Sequence, residues 1–273
     1  MPDTTTELTA GVSETKYHAD RASLSSTGAR KVLACPARFK WERDNPPPPR
    51  AAFDMGHVAH TLILGEGSRI AVIEAPDWRS KAAQAERDEV RAAGAVPILA
   101  ADYDAAMRMR DGVMDHLLAA QLFAEGRPEL SGWWNDEQTG VTLRFRPDWL
   151  TEVGGRTVCV DLKTTVNADP NDFIRSIVKF GYHQQAAWYL DGLLAHGYDD
   201  PRFVIVAVEK TAPHLVSVIE LDDTAIAEGR RRNREAIDLY HECTTTDTWP
   251  AYGDECHLLS LPEWALPDLE MSI

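Results

Sequence analysis

The side chains with the clearest capacity for chemistry lie in residues 142–164, which read TLRFRPDWLTEVGGRTVCVDLKT. Asp148 follows a proline, and Asp161 stands two positions before Lys163. Two nearby carboxylates repel each other unless a cation neutralises them, and a hard divalent cation such as Mg²⁺ prefers oxygen ligands. A lysine beside the cation can orient a water molecule or stabilise developing negative charge. These groups are what metal-assisted phosphodiester hydrolysis requires.

A β-hairpin is the element expected to position these side chains. Two runs rich in β-forming residues flank the turn EVGGR at residues 152–156, and a Gly-Gly pair between such runs is typical of a hairpin. Because side chains alternate across a strand, one face of the hairpin is apolar and the other is polar. The polar face is expected to hold Arg144, Arg146, Asp148, Cys159, Asp161 and Lys163. A hairpin whose polar face forms only surface salt bridges is the alternative interpretation.

Length and composition favour a single globular domain with a large core. The chain has 273 residues, of which 44% are hydrophobic and 26% charged. We expect a flexible polar tail over residues 1–20, one domain over residues 21–245 and an irregular segment over residues 246–273. No apolar run is long enough to span a membrane, and no signal peptide is recognisable at the N-terminus. Four dispersed cysteines do not make a disulfide framework, so a cytoplasmic location is expected.

The net charge of −15 argues against a protein that simply coats DNA, because nucleic-acid binders usually carry a basic footprint. Any contact with DNA must therefore use local positive patches. Two basic clusters are candidates, and either can equally be a solvated helix face. Their members are Arg30, Lys31, Arg38, Lys40 and Arg43 in the first cluster, and Arg230, Arg231, Arg232 and Arg234 in the second.

Two early segments allow more than one interpretation. Residues 23–27, SLSST, can cap a helix that runs to about Cys35, and hydroxyls at a helix N-terminus can also bind a phosphate. His60 lies in an otherwise apolar helix predicted over residues 51–64, where a satisfied core histidine is the usual explanation. Farther along the chain, a helix that begins near residue 182 places Gln185 and Tyr189 on one face.

Six segments, in this order and spacing, resemble the PD-(D/E)XK nuclease superfamily, and more closely its RecE-like phage exonucleases of the lambda-exonuclease type. They are YHADRASLSSTGARKVLACPARFKW (17–41), GHVAHTLILG (56–65), ELSGWW (129–134), RFRPDWL (144–150), VDLKTT (160–165) and YHQQAAWYLDG (182–192). The resemblance implies an α/β (α+β) fold with a restriction-endonuclease-like core, in which helices flank a central mixed β-sheet.

The resemblance also implies roles for the residues at matching positions. Lys163 corresponds to the catalytic lysine. His60 matches the histidine of a GxxxH element that lines or binds the metal, and Glu129 matches an acidic position before the metal-binding strand. The implied metal ligands are therefore His60, Glu129, Asp148, Asp161 and the Leu162 carbonyl.

Further roles concern support of the catalytic lysine and contact with DNA. Gln185 and Tyr189 match a QxxxY element that supports the lysine and the DNA backbone. Ser25 and Thr27 align with hydroxyls near a 5′-phosphate pocket, although many relatives have serine where this chain has Thr27. The basic residues expected to contact phosphates are Arg30, Arg144 and Arg146.

The function implied is a Mg²⁺-dependent 5′-to-3′ exodeoxyribonuclease, with Mn²⁺ able to replace Mg²⁺. It acts on double-stranded DNA ends and leaves single-stranded tails for homologous recombination. A ring-shaped homo-oligomer, a RecT-like annealing partner and a phage or prophage origin in a bacterial cytoplasm are implied as well. Another PD-(D/E)XK nuclease, such as an endonuclease or a helicase-linked nuclease, and a non-catalytic DNA-binding or assembly protein are the alternatives. The intact Asp148, Asp161 and Lys163 set argues against the last.

One branch of the superfamily carries an iron–sulfur cluster held by an early Cys-Pro and three late cysteines. Cys35 is followed by a proline, but only Cys243 and Cys256 occur towards the C-terminus. Cys159 is expected inside the second strand of the hairpin. Four ligands therefore do not converge, and no cluster is expected.

Overall fold

The computed structural model describes residues 7–46 and 55–262. Within these residues the helices are α1 (Glu14–Ala19), α2 (Ser26–Ala34), α3 (Pro36–Asp44), α4 (Met55–Leu64), α5 (Lys81–Ala92), α6 (Ala100–Asp115), α7 (Leu117–Ala124), α8 (Pro170–Phe180), α9 (Tyr182–Ala195) and α10 (Asp223–Thr246). The strands are β1 (Leu24–Ser25), β2 (Ile70–Ile73), β3 (Val96–Leu99), β4 (Arg127–Pro128), β5 (Gly132–Asn135), β6 (Thr142–Phe145), β7 (Trp149–Val153), β8 (Arg156–Thr165), β9 (Arg202–Glu209) and β10 (Val216–Glu220). No helix in these ranges is long and apolar enough to cross a membrane.

A five-stranded sheet in the order β10-β9-β8-β7-β4 forms the centre of the protein. Strands β8 and β9 pair in parallel, while β10–β9, β8–β7 and β7–β4 are antiparallel. The sheet is therefore mixed, as the resemblance to the PD-(D/E)XK superfamily implies. Two smaller sheets, β1-β6-β5 and β2-β3, lie outside it in the described part of the chain.

Helices cover both faces of the central sheet, so β8 is buried on both sides. Cys159 belongs to a core shared with α2, α9 and α10, whereas Val160 and Leu162 belong to a core shared with α4, α6 and α7. The alternation predicted for β8 is thus present. Its polar face, however, packs against helices instead of facing solvent, and Asp161 is only 1% exposed. This burial determines the electrostatics of the site described below.

The single hairpin predicted over residues 142–164 is wrong in its first half. Strand β6 pairs with β1 and β5, whereas β7 belongs to the central sheet and forms the hairpin with β8. The chain leaves one sheet and enters the other through residues 146–148. Pro147 lies in this break, and proline has no N–H with which to continue a strand ladder.

Residues 7–20 are also more ordered than the tail predicted there. Thr9 forms an isolated bridge with Ser131, and Ser13 caps α1 by accepting a hydrogen bond from Lys16 N–H. Tyr17 is buried against the β5–β6 region. Packing of this aromatic ring is what holds the segment in place. Residues 1–6, residues 263–273 and the first turn of the helix predicted over 51–64 lie outside the described residues.

Helix α9 is fixed by α10, which crosses it at very short range. A Cβ at Gly229 of α10 would lie 2.2 Å from the His183 carbonyl oxygen, so only glycine allows this approach. Asn233, one turn later, donates a side-chain hydrogen bond to the Gln184 carbonyl at 2.9 Å. These contacts hold the first turn of α9, which carries residues of the candidate site.

Candidate active site

The open edge of β8 is where the candidate active site forms. Strand β7 pairs with β8 only as far as Val160, which faces Trp149, while β9 pairs with β8 through Thr165. Leu162 therefore has no strand partner on the β7 side. Its N–H donates instead to the Asp148 carboxylate at 2.8 Å, and its carbonyl oxygen lies 2.8 Å from His60 Nε2. A side chain from the β6–β7 break and one from α4 thus take the place of the missing strand.

His60 lies between two expected metal ligands, the Leu162 carbonyl oxygen and the Asp148 carboxylate. Because a carbonyl oxygen can only accept, its contact with Leu162 requires Nε2 to carry a hydrogen. The other ring nitrogen, Nδ1, lies 3.7 Å from Asp148 Oδ2. The Leu162 carbonyl satisfies Nε2, as the interpretation of a satisfied core histidine requires, and the position of Nδ1 beside Asp148 also fits the role beside a metal that the resemblance implies.

Asp161 and Lys163 share the opposite face of β8 and contact each other directly. Burial raises the pKa of Asp161, with the Asp148 charge acting in the same direction and Lys163 opposing it. Burial also disfavours the charged lysine, but Asp161 and Asp148 outweigh it and raise the pKa of Lys163. The lysine therefore remains an ammonium group held against a carboxylate.

Gln185 completes the surroundings of Asp161. Its side-chain nitrogen donates to Asp161 Oδ1 at 2.6 Å from the first turn of α9. The second oxygen, Oδ2, is buried and makes no hydrogen bond of good geometry to any described residue, its contact with Lys163 apart. Tyr189, one turn farther along α9, packs against Phe145 and Phe203 in the core. Gln185 therefore contacts the Asp161 carboxylate directly, whereas Tyr189 packs in the core one helical turn away.

Glu129 reaches the same region through an unusual backbone conformation. It lies between β4 and β5 with φ of +52°, in the left-handed region that few non-glycine residues adopt. Its N–H donates to the Asp148 carbonyl, and its carboxylate pairs with Arg146 at 2.6 Å. Burial, followed by the charge of Asp148, raises the pKa of Glu129. Strain of this kind is typical of functional sites.

Arg144 and Arg146 have structural partners in place of the phosphates expected for them. Arg144 is 7% exposed and donates to the Ser23 carbonyl and hydroxyl. Arg146 pairs with Glu129 and donates to the Val12 carbonyl. Both guanidinium groups lie 5.1 Å from the centroid of the Tyr17 ring. Sequence spacing could not reveal this because the N-terminal segment that covers them was expected to be free.

Helix α2 packs in the same core as Cys159 of β8. Ser25 caps the helix by accepting from Gly28 N–H at 3.1 Å, as the capping interpretation predicts. Thr27 is exposed, and its hydroxyl accepts a 3.2 Å hydrogen bond from Arg30. Arg30 also donates to the carbonyl of Gly181, whose left-handed φ of +67° brings the α8–α9 junction onto the arginine. The charges of Arg30 and Asp161 are close enough to interact.

Tyr182 is a site residue that the sequence reasoning did not single out. Lys163 Nζ lies 5.2 Å from the centroid of its ring, within the range of a cation–π contact. The available signal was its position as the first residue of the YHQQ segment, three residues before Gln185. An aromatic residue at the start of α9 must point towards the end of β8 when Gln185 does.

The donor set suits a hard divalent cation. Two carboxylates, Asp148 and Asp161, and the Leu162 carbonyl oxygen supply the oxygen ligands that Mg²⁺ prefers. Asp161 Oδ2 is buried, and among the described residues its contact is with Lys163. In residues 7–46 and 55–262, no three His, Cys, Asp or Glu side chains are already arranged as a metal site. Asp161 is instead paired with Lys163 and Gln185, and Asp148 accepts from the Leu162 N–H. The Leu162 carbonyl accepts from His60. A cation would exchange these contacts for its own.

The arrangement of strands and side chains defines the class of fold. Asp148 immediately precedes β7, and Asp161 and Lys163 lie on the neighbouring β8 of the same mixed sheet. This arrangement is characteristic of the PD-(D/E)XK proteins. The chain belongs to the family described as the PDDEXK-like domain of unknown function (DUF3799), which it matches over residues 25–262. This match confirms the resemblance seen in the sequence. No curated protein matches the chain significantly.

The comparison with solved structures finds similarities at low sequence identity. A candidate exonuclease from Eubacterium rectale superposes with a TM-score of 0.61 and 12% identity, covering 98% of this chain and 99% of that one. A phage-related exonuclease from Haemophilus somnus 129PT gives 0.34 and 11%, covering 83% and 96%. An alkaline exonuclease from Laribacter hongkongensis gives 0.27 and 15%, covering 72% and 92%. The first similarity shows a common fold.

Proposed function

We propose that this protein is a Mg²⁺-dependent exonuclease that degrades one strand of duplex DNA from its 5′ end. Its single-stranded products would enter homologous recombination. The observation that carries the proposal is the convergence of Asp148, the Leu162 carbonyl, Asp161 and Lys163 at the open edge of β8. A cavity of about 300 Å³ opens beside His60, Leu162 and Lys163, so the edge is accessible.

The residues at this edge have different roles in the proposed hydrolysis. Asp148, Asp161 and the Leu162 carbonyl would hold Mg²⁺, or Mn²⁺ in its place, with His60 and Glu129 beside them. The cation, when bound, supplies Lewis acidity and lowers the pKa of a water molecule. Lys163 stays protonated against the two carboxylates, so its ammonium can orient the water and stabilise charge on the phosphate in the transition state.

The N-terminus of α2 supports action from a 5′ end. Thr27 is exposed and Arg30 is already oriented by Ser26, Thr27 and Gly181. Backbone N–H groups at a helix N-terminus and a charged donor together favour a terminal phosphate. Ser25 contributes as the helix cap.

A homo-oligomeric ring would explain how an acidic subunit holds DNA. A ring turns the same face of each subunit towards the channel, so that the basic cleft beside α2 faces DNA while acidic surfaces face outward. A RecT-like annealing protein would receive the single-stranded product. Both proposals rest on membership of the superfamily.

The test compares end-labelled linear duplex with covalently closed circular DNA, with and without Mg²⁺. We expect loss of the linear DNA only, with mononucleotides released from the 5′ end. Cutting of circles would instead identify an endonuclease. Binding of DNA without cleavage of either form would identify a non-catalytic DNA-binding or assembly protein. Asp161→Asn serves as the control for contaminating nuclease.

A further inference from the structure

We propose that Phe180, at the junction of α8 and α9, is a platform on which a base of the bound DNA strand stacks. The proposal rests on the proposed nuclease function and describes how the site would hold a nucleotide near the reacting phosphate. Its starting point is a set of stacked aromatic rings that reaches from the core to the surface.

Tyr182 is the shared partner in this stack. Its ring is nearly parallel to Phe173, with centroids 6.0 Å apart and an interplanar angle of 27°, and to Phe180, at 5.7 Å and 30°. Phe173 is buried, whereas Phe180 is 50% exposed. Lys179 Nζ lies 5.4 Å from the Phe180 ring centroid, so a stacked base would share or displace this cation–π contact. Since offset parallel rings are a favourable arrangement, the exposed part of Phe180 is suited to a further planar group.

The stack lies next to the catalytic lysine. Tyr182 contacts Phe180 and also lies beneath the ammonium of Lys163, 5.2 Å from its ring centroid. One residue therefore joins the exposed ring to the candidate active site. A strand whose phosphate reaches Lys163 passes the neighbourhood of Phe180 with an adjacent nucleotide.

Phe180 lines a cleft of about 660 Å³ between α2, the α8–α9 junction and α10. Arg30, Lys179 and Arg232 also line it, and none has a carboxylate within ion-pair distance among the described residues. By contrast, Arg230 pairs with Asp191 at 2.8 Å and Arg231 with Glu228 at 2.7 Å. Lys31 and Glu228 also line the cleft, and they pair with Glu42 and Arg231 respectively. The three cations without an ion-pair partner among the described residues therefore leave the cleft with a net positive charge, which favours a polyanion in a chain of net charge −15.

Gln184 gives an independent indication of a ligand in the cleft. Its side chain lines the cleft, the residue is 4% exposed, and Nε2 has no hydrogen-bond partner in the part of the chain that the structure describes. A buried amide without a partner is unfavourable, so the group is suited to donate to a bound molecule. A nucleotide offers acceptors on its base, sugar and phosphate.

These features together favour single-stranded nucleic acid as the occupant. Proteins that hold single strands without sequence preference combine a positive groove with aromatic rings on which bases stack. The alternative is a protein surface docked on the apolar side of α8, where Ile174 and Val178 are exposed. That alternative depends on aliphatic contacts as much as on the ring of Phe180.

The experiment measures binding of a fluorescent 5′-phosphorylated oligonucleotide by anisotropy, with Ca²⁺ in place of Mg²⁺ to prevent hydrolysis. Phe180→Leu keeps apolar volume and removes the aromatic face, and Phe180→Trp restores an aromatic face. Val178→Ala, at an exposed aliphatic residue of the same helix, is the matched control. Each protein is tested with a normal strand and with a strand carrying abasic sites at its first nucleotides.

For the normal strand we expect Phe180→Leu to weaken binding about tenfold, within the range of a lost base stack. Phe180→Trp and Val178→Ala should bind as the unmodified protein does. Abasic sites should weaken binding by the unmodified protein by a similar factor and have little effect on Phe180→Leu. This shared loss would identify the base as the partner of the ring.

Equal binding by the unmodified protein and Phe180→Leu would overturn the proposal, as would an equal abasic penalty in both proteins. A parallel loss in Val178→Ala, with a change in oligomeric mass, would show that the face binds protein. Cleavage of linear duplex with Mg²⁺ is measured separately. Cleavage without dependence on Phe180 overturns only the platform, whereas stacking without cleavage overturns only the nuclease.

Discussion

Leu162 N–H donates a 2.8 Å hydrogen bond to the Asp148 carboxylate, at a position on β8 beyond the last residue that pairs with β7. The carboxylate satisfies a backbone group that a longer β7 would have paired. The same shortening leaves the Leu162 carbonyl turned towards His60 and the expected metal position. The candidate site therefore depends on where one strand stops as much as on which residues it contains.

Replacing Gln185 with leucine should reduce nuclease activity without unfolding the protein. Gln185 holds Asp161 Oδ1 at 2.6 Å, and loss of a partner that orients a metal ligand costs about tenfold to a hundredfold in metal affinity or activity. The measurements are initial rates against Mg²⁺ concentration and calorimetric titration with Mn²⁺. The same substitution at the exposed Gln138 is the control. Unchanged rates and metal affinity in Gln185→Leu would contradict the positioning role.

Asp161→Asn should abolish hydrolysis and also destabilise the protein. The amide can still accept from Gln185, but it leaves the Lys163 ammonium without its carboxylate. Breaking a buried ion pair costs about 3–5 kcal/mol, and because the Lys163 side chain is 20% exposed we expect about 2–3 kcal/mol. Urea unfolding without metal measures this loss.

The double variant Asp161→Asn/Lys163→Met should recover most of that stability, since it no longer buries an unpaired charge. It should remain inactive. If the two losses of stability simply added, the ion pair would not be the reason for the destabilisation.

Lys163→Met should keep metal binding and lose most of the rate. The lysine is assigned to the transition state, where interactions raise kcat and not ground-state affinity. Calorimetric titration with Mn²⁺ and single-turnover rates separate the two effects. A collapse of metal affinity in this variant would show that Lys163 helps to build the metal site.

Thr27→Val should reduce the preference for a 5′-phosphorylated end. The change keeps the shape of the side chain but removes the hydroxyl that orients Arg30 at 3.2 Å. A hydrogen bond to a charged group contributes about 1.5–3 kcal/mol, so a preference of roughly tenfold to a hundredfold is expected in the unmodified protein. Initial rates on duplexes that differ only in the 5′ group measure it. Equal rates on both ends in the unmodified protein would remove the phosphate pocket.

Asp136→Asn should destabilise the protein in a pH-dependent manner. Burial favours a raised pKa for Asp136, but hydrogen bonds from Arg234 and Thr139 outweigh it and lower the pKa. A lowered folded-state pKa stabilises the protein above the unfolded value of about 3.9 and loses that effect as the pH falls through the folded value. The variant should therefore lose about 2 kcal/mol at pH 7 and less below about pH 4.

Urea unfolding of both proteins between pH 3 and pH 7, as rough limits set by these pKa values, checks this expectation. Glu137→Gln, an exposed carboxylate in the same turn, is the control. If the loss of stability in Asp136→Asn did not change with pH, the charge of Asp136 would make no contribution to the free energy of unfolding.

The sequence determined the local features of the site. Alternation along β8 placed Asp161 and Lys163 on one face, and helical spacing placed Gln185 and Tyr189 together on α9. Ser25 is the cap of α2, as its type and position indicated. These features depend on a few neighbouring residues, so periodicity and capping preferences are enough to predict them.

Tertiary structure decided which groups meet across the chain. The break at Pro147 lies between β6 in one sheet and β7 in another, and Tyr17 packs against the guanidinium groups of Arg144 and Arg146. Gln185 donates to Asp161, whereas the resemblance implied that it supports the lysine. Such pairings depend on how sheets and helices pack over long sequence separations, which local propensity does not encode.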